Sequence, residues 1–526
     1  MKSFLFILLH CISFTAFATE IDILNYGAKA DGKTMNTRAI QAAIDKCSKT
    51  GGTVIIPDGT FLTGTLYLKS NVTIHLTDNA TILGSGKFID YPNNIRKSNP
   101  NEPGATNKAL FFANEASNIT LEGNGTINGN GLSPAFMLRD ASNSKLSAMR
   151  PMLIEMFDCY NVTVANLNLK HSALWMENYA GCVNVRITGI KVYNHGNFNN
   201  DGVDIDSKDV LIENCSFDCD DDGICLKSIS KEKICENVIV RNCSVRTSCN
   251  AIKFGTGSIG GFRNINISNI DIKQASEDNL RNWQKNLKFI EQPLTVLSGI
   301  AVENVDGGFT DNVTISNIFM EDVQTPILVR LGNRKGGNPG HLRNINISNV
   351  TAVSHSKMTS SITGIPGFDA ENIILSNIKI NSMGDGTLEE ANLPTPESIG
   401  SYPENRMFGY TLPSSGLFLR HVKGITLQNI QLETRKNDMR PAIIMEDVKG
   451  AELTGLTTIE PSINSAIVKL LNCENILLSN PLIKTDSIPY LIIEGGKTKA
   501  ITVFGLNKKN DLIQLVGIIK HEVSLN

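Results

Sequence analysis

Apolar and polar residues alternate in short runs along most of this chain, and the runs recur with an asparagine in front. Asn161-Val-Thr-Val-Ala-Asn166, Asn184-Val-Arg-Ile-Thr-Gly189 and Asn237-Val-Ile-Val-Arg-Asn242 share the form. So do Asn264-Ile-Asn-Ile-Ser-Asn269, Asn312-Val-Thr-Ile-Ser-Asn317 and Asn344-Ile-Asn-Ile-Ser-Asn349, with further copies from Asn372, Gly424 and Asn475. Half of the steps between neighbouring copies are 23 to 32 residues, and the wider gaps fit two coils or an insertion. Alternation with period two marks a strand with one buried face. Short strands that repeat with no helical pattern between them predict a solenoid, each coil lying on the previous one. A β-sandwich also has short strands, but nothing in it requires one phrase to recur in register. The expected fold is therefore all-β, a right-handed parallel β-helix in which matched asparagines stack and bond along the turns.

Two departures from the period stand out. Thr37–Cys47 carries apolar residues at helical spacing (Ala39, Ile40, Ala43, Ile44, Cys47) and ends before Gly51-Gly52, which predicts a short helix capping the first coil. Residues 384–415, rich in Gly, Pro, Glu and Asn, read as a long excursion, the kind of loop that often serves function.

The second strand of each coil can be set in register from its inward apolar pair: Leu174/Met176, Val203/Ile205, Ile224/Leu226, Ile252/Phe254, Ile300/Val302 and Ile327/Val329. Alternation then turns outward Trp175 and Glu177, Asp204 and Asp206, Cys225 and Lys227, Lys253 and Gly255, Ala301 and Glu303, and Leu328 and Arg330. Stacked strands are ~4.8 Å apart, so these residues form one strip that suits a sugar chain. A solvated face with charge ladders is the plainer reading of any one of them.

Composition narrows the field. With 49 basic and 52 acidic residues the chain gives no sign of nucleic-acid binding. Residues 1–18 read as a secretory leader, with Lys2, an apolar run from Phe4 and a small-x-small site at Ala16-Phe17-Ala18. Cleavage after Ala18 would leave residues 19–526 as one exported, soluble domain, expected to be a monomer. Eight of the ten remaining cysteines fall between Cys159 and Cys249. Export permits disulfides, yet the spacing forms no zinc module, and small buried thiols are the simpler account.

Acids concentrate in two segments, Asn199-Asn-Asp201-Gly-Val-Asp204 and Asp220-Asp221-Asp222-Gly223, with Asp201 and Asp222 at matching positions one coil apart. Carboxylates crowded at one strand edge raise at least one pKa and keep a proton available. Glycoside hydrolysis needs such a set, one protonated acid and one ionised base. Strict alternation would bury Asp221 or Asp222, so a local turn or bulge before Gly223 is required to bring both to the cleft. A calcium loop is the competing reading, since Asp218 to Gly223 fits the start of an EF-hand. Its twelfth position is Ile229 where a bidentate Glu is needed, and no helices flank it. No metal or cofactor is expected.

Asn199-Asn-Asp201-Gly followed by Asp221-Asp222 resembles the polygalacturonase family of glycoside hydrolases, family 28. Tyr26-Gly27-Ala28-Lys-Ala-Asp31-Gly32 and Gly51-Gly52-Thr-Val-Ile-Ile-Pro57 are also similar to the entry of pectin-degrading β-helices. The resemblance implies an inverting hydrolase with Asp221 as general acid and Asp201 and Asp222 activating water; Asp222 has a second claim to the acid role. Two family features are replaced. Cys249-Asn250-Ala251 stands where the family has Gly-His-Gly, and Ala301-Val302-Glu303 stands for Arg-Ile-Lys, whose cations hold the substrate carboxylate. The substrate is therefore expected among rhamnogalacturonan or other pectic linkages. Lys227, Lys253 and Arg330 offer replacement charge, or else pair with Asp206, Glu177 or Glu303. Asn199, Asp204, Asn250 and Glu303 complete the expected binding set, and Trp175 and Trp283 are either sugar platforms or packing. A β-helix polysaccharide lyase and a non-catalytic carbohydrate-binding β-helix remain the alternatives.

Overall fold

A computed structural model describes residues 19–94, 108–140, 142–277, 289–291, 296–458, 466–479, 489–505, 513–517 and 523–525. The leader at 1–18 and Trp283 lie outside the described residues. The chain winds as a right-handed parallel β-helix, and the coil-to-coil strand pairs among the described residues run parallel, with two isolated antiparallel bridges, Ile290 to Ser356 and Ile365 to Phe368. The first apolar residue of each phrase pairs with that of the next: Val162 with Val185, then Val210, Val238 and Ile265. The column continues through Val313, Ile345 and Ile373. All of these are buried in one continuous core, and each such side chain contributes about 2 kcal/mol on leaving water.

The asparagines do what their spacing implied. Asn264 donates to Asn237 at 3.0 Å, Asn312 to Asn264 at 2.8 Å and Asn372 to Asn344 at 3.2 Å. A second ladder rises through Asn242, Asn269, Asn317, Asn349 and Asn377. Both occupy left-handed backbone, with φ of 56° at Asn237 and 57° at Asn317. Asn tolerates that conformation because its amide bonds locally, and Gly424 meets the same need at φ 73° where a copy lacks Asn.

The helix Thr37–Cys47 forms as expected and packs Ile40, Ala43, Ile44 and Cys47 onto the first strands, Thr19–Asp22 and Gly52–Ile56. All ten described cysteines carry free thiols, and nine are buried.

The excursion at 384–415 folds back over the strip. Arg330 donates to the carbonyls of Glu397 and Ser398 at 2.8 and 3.1 Å, and Arg420 to those of Thr395 and Pro396, both at 2.7 Å. Phe408 and Leu412 bury themselves against Met358, Phe418 and Ile444.

Candidate active site

Five of the six aligned coils have the expected register. Val203 pairs with Ile224, Ile224 with Ile252, Ile252 with Ile300 and Ile300 with Ile327. The first coil departs: Asn178, not Trp175, stands opposite Asp204. Glu177 therefore points inward, above Ile154. It is fully buried, accepts a hydrogen bond from Tyr179 at 2.8 Å, and burial pushes its carboxyl up to about 8. A charged residue at an inward position broke the apolar alternation on which the alignment relied.

The acids arrive on two loops. Asp201 ends a turn shaped by buried amides: Asn200 donates to Ser172, Leu174 and Asn194 at 3.0 to 3.1 Å, and Asn194 to the Asp201 carbonyl at 2.9 Å. Asp221 and Asp222 sit on a bend between the strands Ser216–Cys219 and Ile224–Ser228. That bend, in place of a bulge, brings both to the same cavity. A glycine directly precedes each following strand, Val203–Glu213 and Ile224–Ser228, because the coils touch there. A Cβ on Gly202 would lie 2.4 Å from the Gly223 carbonyl, and one on Gly223 the same distance from Val245.

The cavity is about 570 Å³ and brings together Asp201, Asp221, Asp222, Asn199, Trp175, Lys227 and Lys253. Asp201 and Asp222 are 3% and 4% exposed, whereas Asp221 is half-buried. Burial, reinforced by Asp204, Asp221 and Asp222, pushes the Asp201 carboxyl well above the usual range. Burial acts on Asp222 in the same sense, but Lys253 and Asn250 outweigh it and hold that carboxyl below its ordinary value. The Lys253 amine is 2.8 Å from Asp222 Oδ2, and Asn250 donates to Oδ1 at 2.8 Å through Nδ2. At that separation two unit charges attract by about 6 kcal/mol at an effective dielectric of 20. Burying two ions costs a similar amount, so the extra hydrogen bonds decide that the pair stays charged. The site thus sets a carboxyl that favours its proton beside one that favours its charge, with a third acid facing the opening.

Several expected binding residues have other partners. Asn250 and Lys253 support Asp222. Asp204 is fully buried, 3.3 Å from the Lys227 amine, which lies 4.8 Å from the centre of the Trp175 ring. Glu303 is buried away from the cavity, both its oxygens lacking a hydrogen-bond partner among the described residues, and burial lifts it to about 8. Arg330 does not reach the cavity, because it is spent under the excursion.

The structure adds wall residues from outside the strip, among them Arg334, Lys335, Asp306 and Tyr402. Arg334 and Lys335 come from the turn after the strand Phe309–Leu331, and Arg334 is clamped by Asp306 at 2.9 and 3.0 Å. Tyr402, on the excursion, accepts from the Lys253 amine at 3.2 Å and stacks near Arg334. Repeat alignment could not find these, since they lie in segments with no repeat; the Gly-rich run after Leu331 and the excursion's length were the available signals.

Residues 47–399 match the sequence model of Glycosyl hydrolases family 28. An exo-poly-alpha-D-galacturonosidase of Dickeya chrysanthemi is 30% identical over 255 residues, 40% of this chain and 42% of the relative. A probable polygalacturonase of Vitis vinifera is 25% identical over 69% of this chain and 74% of its own. Among solved structures, a hyperthermoactive exopolygalacturonase from Thermotoga maritima superimposes with a TM-score of 0.58 at 22% identity, covering 69% of this chain and 87% of that one. A family 28 exopolygalacturonase of Yersinia enterocolitica gives 0.57 at 21%, covering 88% and 78%.

Proposed function

The chain belongs to family 28 of the glycosyl hydrolases and is a glycoside hydrolase, and from that premise we propose that it is an exported enzyme cutting uronate-containing pectic oligosaccharides from a chain end, with inversion. One observation carries the substrate class. Asp201, Asp221, Asp222 and Asp306 share the cavity with Lys227, Lys253, Arg334 and Lys335. Four cations line this wall, and the tendency of Asp201 to keep its proton lessens the charge of the acids, which favours an acidic sugar. Arg334 and Lys335 then replace the charge lost at Ala301 and Glu303. The names of the Dickeya, Thermotoga and Yersinia relatives point the same way. Chain-end action is supported by the excursion, which covers the strip beyond Lys253 and presents Tyr402 to the cavity.

In this reading Asp222, held ionised by Lys253, takes the proton of the attacking water while Asp201 orients that water. Asp221 protonates the leaving oxygen. The three carboxyls titrate as one set, so the proton that burial retains in the cluster is available to Asp221. The leader at 1–18 carries the protein out of the cytoplasm, and N-terminal sequencing of the secreted protein should begin at Thr19.

The test is a panel of galacturonan and rhamnogalacturonan oligosaccharides followed by mass spectrometry and proton NMR. Wild type should release terminal units as the inverted anomer, and Asp221→Asn should lose about a thousandfold in kcat. Full activity in that variant would refute the acid assignment, and ultraviolet-absorbing products would mean a lyase.

A further inference from the structure

A charged cluster behind the acids has no part in the chemistry assigned above. His195 follows the strand Lys191–Asn194 and opens the loop that ends in Asp201; it is 3% exposed. Its Nδ1 lies 2.8 Å from Asp220 Oδ1 and its Nε2 2.9 Å from Asp218 Oδ1. Asp220 Oδ2 accepts from the Gly196 amide at 2.6 Å. Both ring nitrogens face carboxylates, and only the imidazolium can donate from both. Neutral imidazole would set a lone pair against a negative charge in a buried place.

The location gives this bridge its consequence. Asp220 directly precedes Asp221 and Asp222 on their bend, and Gly196 begins the turn that delivers Asp201. Backbone bonds run alongside, from the Asp220 amide to the Asn194 carbonyl at 3.1 Å and from the Asp221 amide to Asn200 at 3.3 Å. The two catalytic loops therefore meet at one carboxylate that His195 holds.

We propose that His195 is a positioning residue: as the imidazolium bridging Asp218 and Asp220, it fixes the bend of Asp221 and Asp222 against the loop of Asp201 and so sets the spacing of the acids. The proposal rests on the glycosidase reading of those three carboxyls. A purely structural histidine would alter stability and leave the spacing-dependent rate in proportion to folded protein.

The surroundings favour the charged ring. Tyr193 packs against it at 4.7 Å between centroids and donates to Glu277; His171 lies beyond Tyr193, and Ser276 caps Asp218 at 3.1 Å. Burial alone would lower the histidine's pKa, but Asp218 and Asp220 outweigh it and lift it to about 9. The bridge is therefore complete at neutral pH and is lost as pH rises through about 9.

His195→Gln and Asp218→Asn test this, with melting temperature, kcat, KM and pH–rate profile measured for each. Small misplacements of catalytic groups cost about a hundredfold, so His195→Gln should lose ten- to a hundredfold in kcat with KM within about twofold. Asp218→Asn removes one carboxylate from the ring and should lower by about one unit the pH at which the His195 ring protons titrate in NMR. Unchanged kcat in His195→Gln, or a loss that merely follows the folded fraction, would overturn the proposal. Should that variant not fold, an unmoved His195 titration with unchanged kcat in Asp218→Asn would overturn it. NMR titration of labelled aspartate carboxyls in resting wild type and His195→Gln needs no turnover. Displaced titration steps for Asp201, Asp221 and Asp222 support the bridge, and identical steps refute it. If wild type cleaves no pectic substrate, the functional reading fails while the titration still decides the role of His195.

Discussion

One outward column of the β-helix is built in two ways. In its first part Asn178, Asp204, Cys225 and Lys253 stack in register. In its second part the same backbone positions hold Ala301, Leu328, Ser361, Phe418 and Ile444. The first run is polar and lies under or in the catalytic cavity. The second is largely apolar, and the excursion covers it with Phe408 and Leu412. A repeating backbone offers every coil the same outward face, and side-chain chemistry alone decides whether that face receives substrate or the protein's own loop. The neighbouring column shows the same division, since Arg330 and Arg420 look like substrate cations but spend their donors on excursion carbonyls.

Four substitutions would break or sharpen this contrast. Lys253→Met, at the boundary, should have the largest effect. Removing one partner of a buried pair costs about 4 kcal/mol of stability, and impairing the base that Lys253 holds ionised should lower kcat by about a thousandfold. Asp222 is held below its usual range by Lys253, so its loss lets burial push that carboxyl up, and the acid limb of the rate profile should move to higher pH. An unmoved acid limb would show that Asp222 is not the base. Arg330→Met acts on the covered part: it strands the buried Gly364 carbonyl and the part-buried carbonyls at 397 and 398, and denaturant unfolding should show a loss of about 3 kcal/mol with KM changed far less than stability.

Glu177→Gln concerns the inward acid below the open part. Its folded pKa of about 8 lies above the ordinary 4.5, so the folded protein holds an extra proton between those values and loses stability as pH rises through that window. The variant should be more stable than wild type by about 4 kcal/mol at pH 8 and equal to it near pH 4. Equal stability at both pH values would mean that Glu177 ionises freely. Tyr402→Phe is the smallest change, deleting the hydrogen bond from Lys253 across the boundary. It is worth about 1 kcal/mol, which should appear as a fivefold loss in kcat/KM on short oligosaccharides.

Much of this was legible along the chain. Period two with recurrent asparagines specified the strands, the coil stacking and both amide ladders, because each coil buries the same face against its neighbour. The capping helix followed from its spacing. Asp201 and Asp222 could be aligned because they sit in register one coil apart, and Asp221 followed by adjacency to Asp222. Trp175 reached the cavity by a different register from the one expected, since alternation fails where Glu177 turns inward. Arg334, Lys335 and Tyr402 were not legible, because they lie outside the repeat and their positions depend on where two loops return.

The amino-acid sequence by itself thus determined the solenoid and the pair of loops carrying the acids, since both depend on local periodicity and on which residues tolerate a tight turn. Only the tertiary structure decided which acid keeps its proton, which lysine holds Asp222, and where the excursion ends the cleft. Those outcomes depend on burial and on charges brought together from distant coils, and a one-dimensional pattern carries neither.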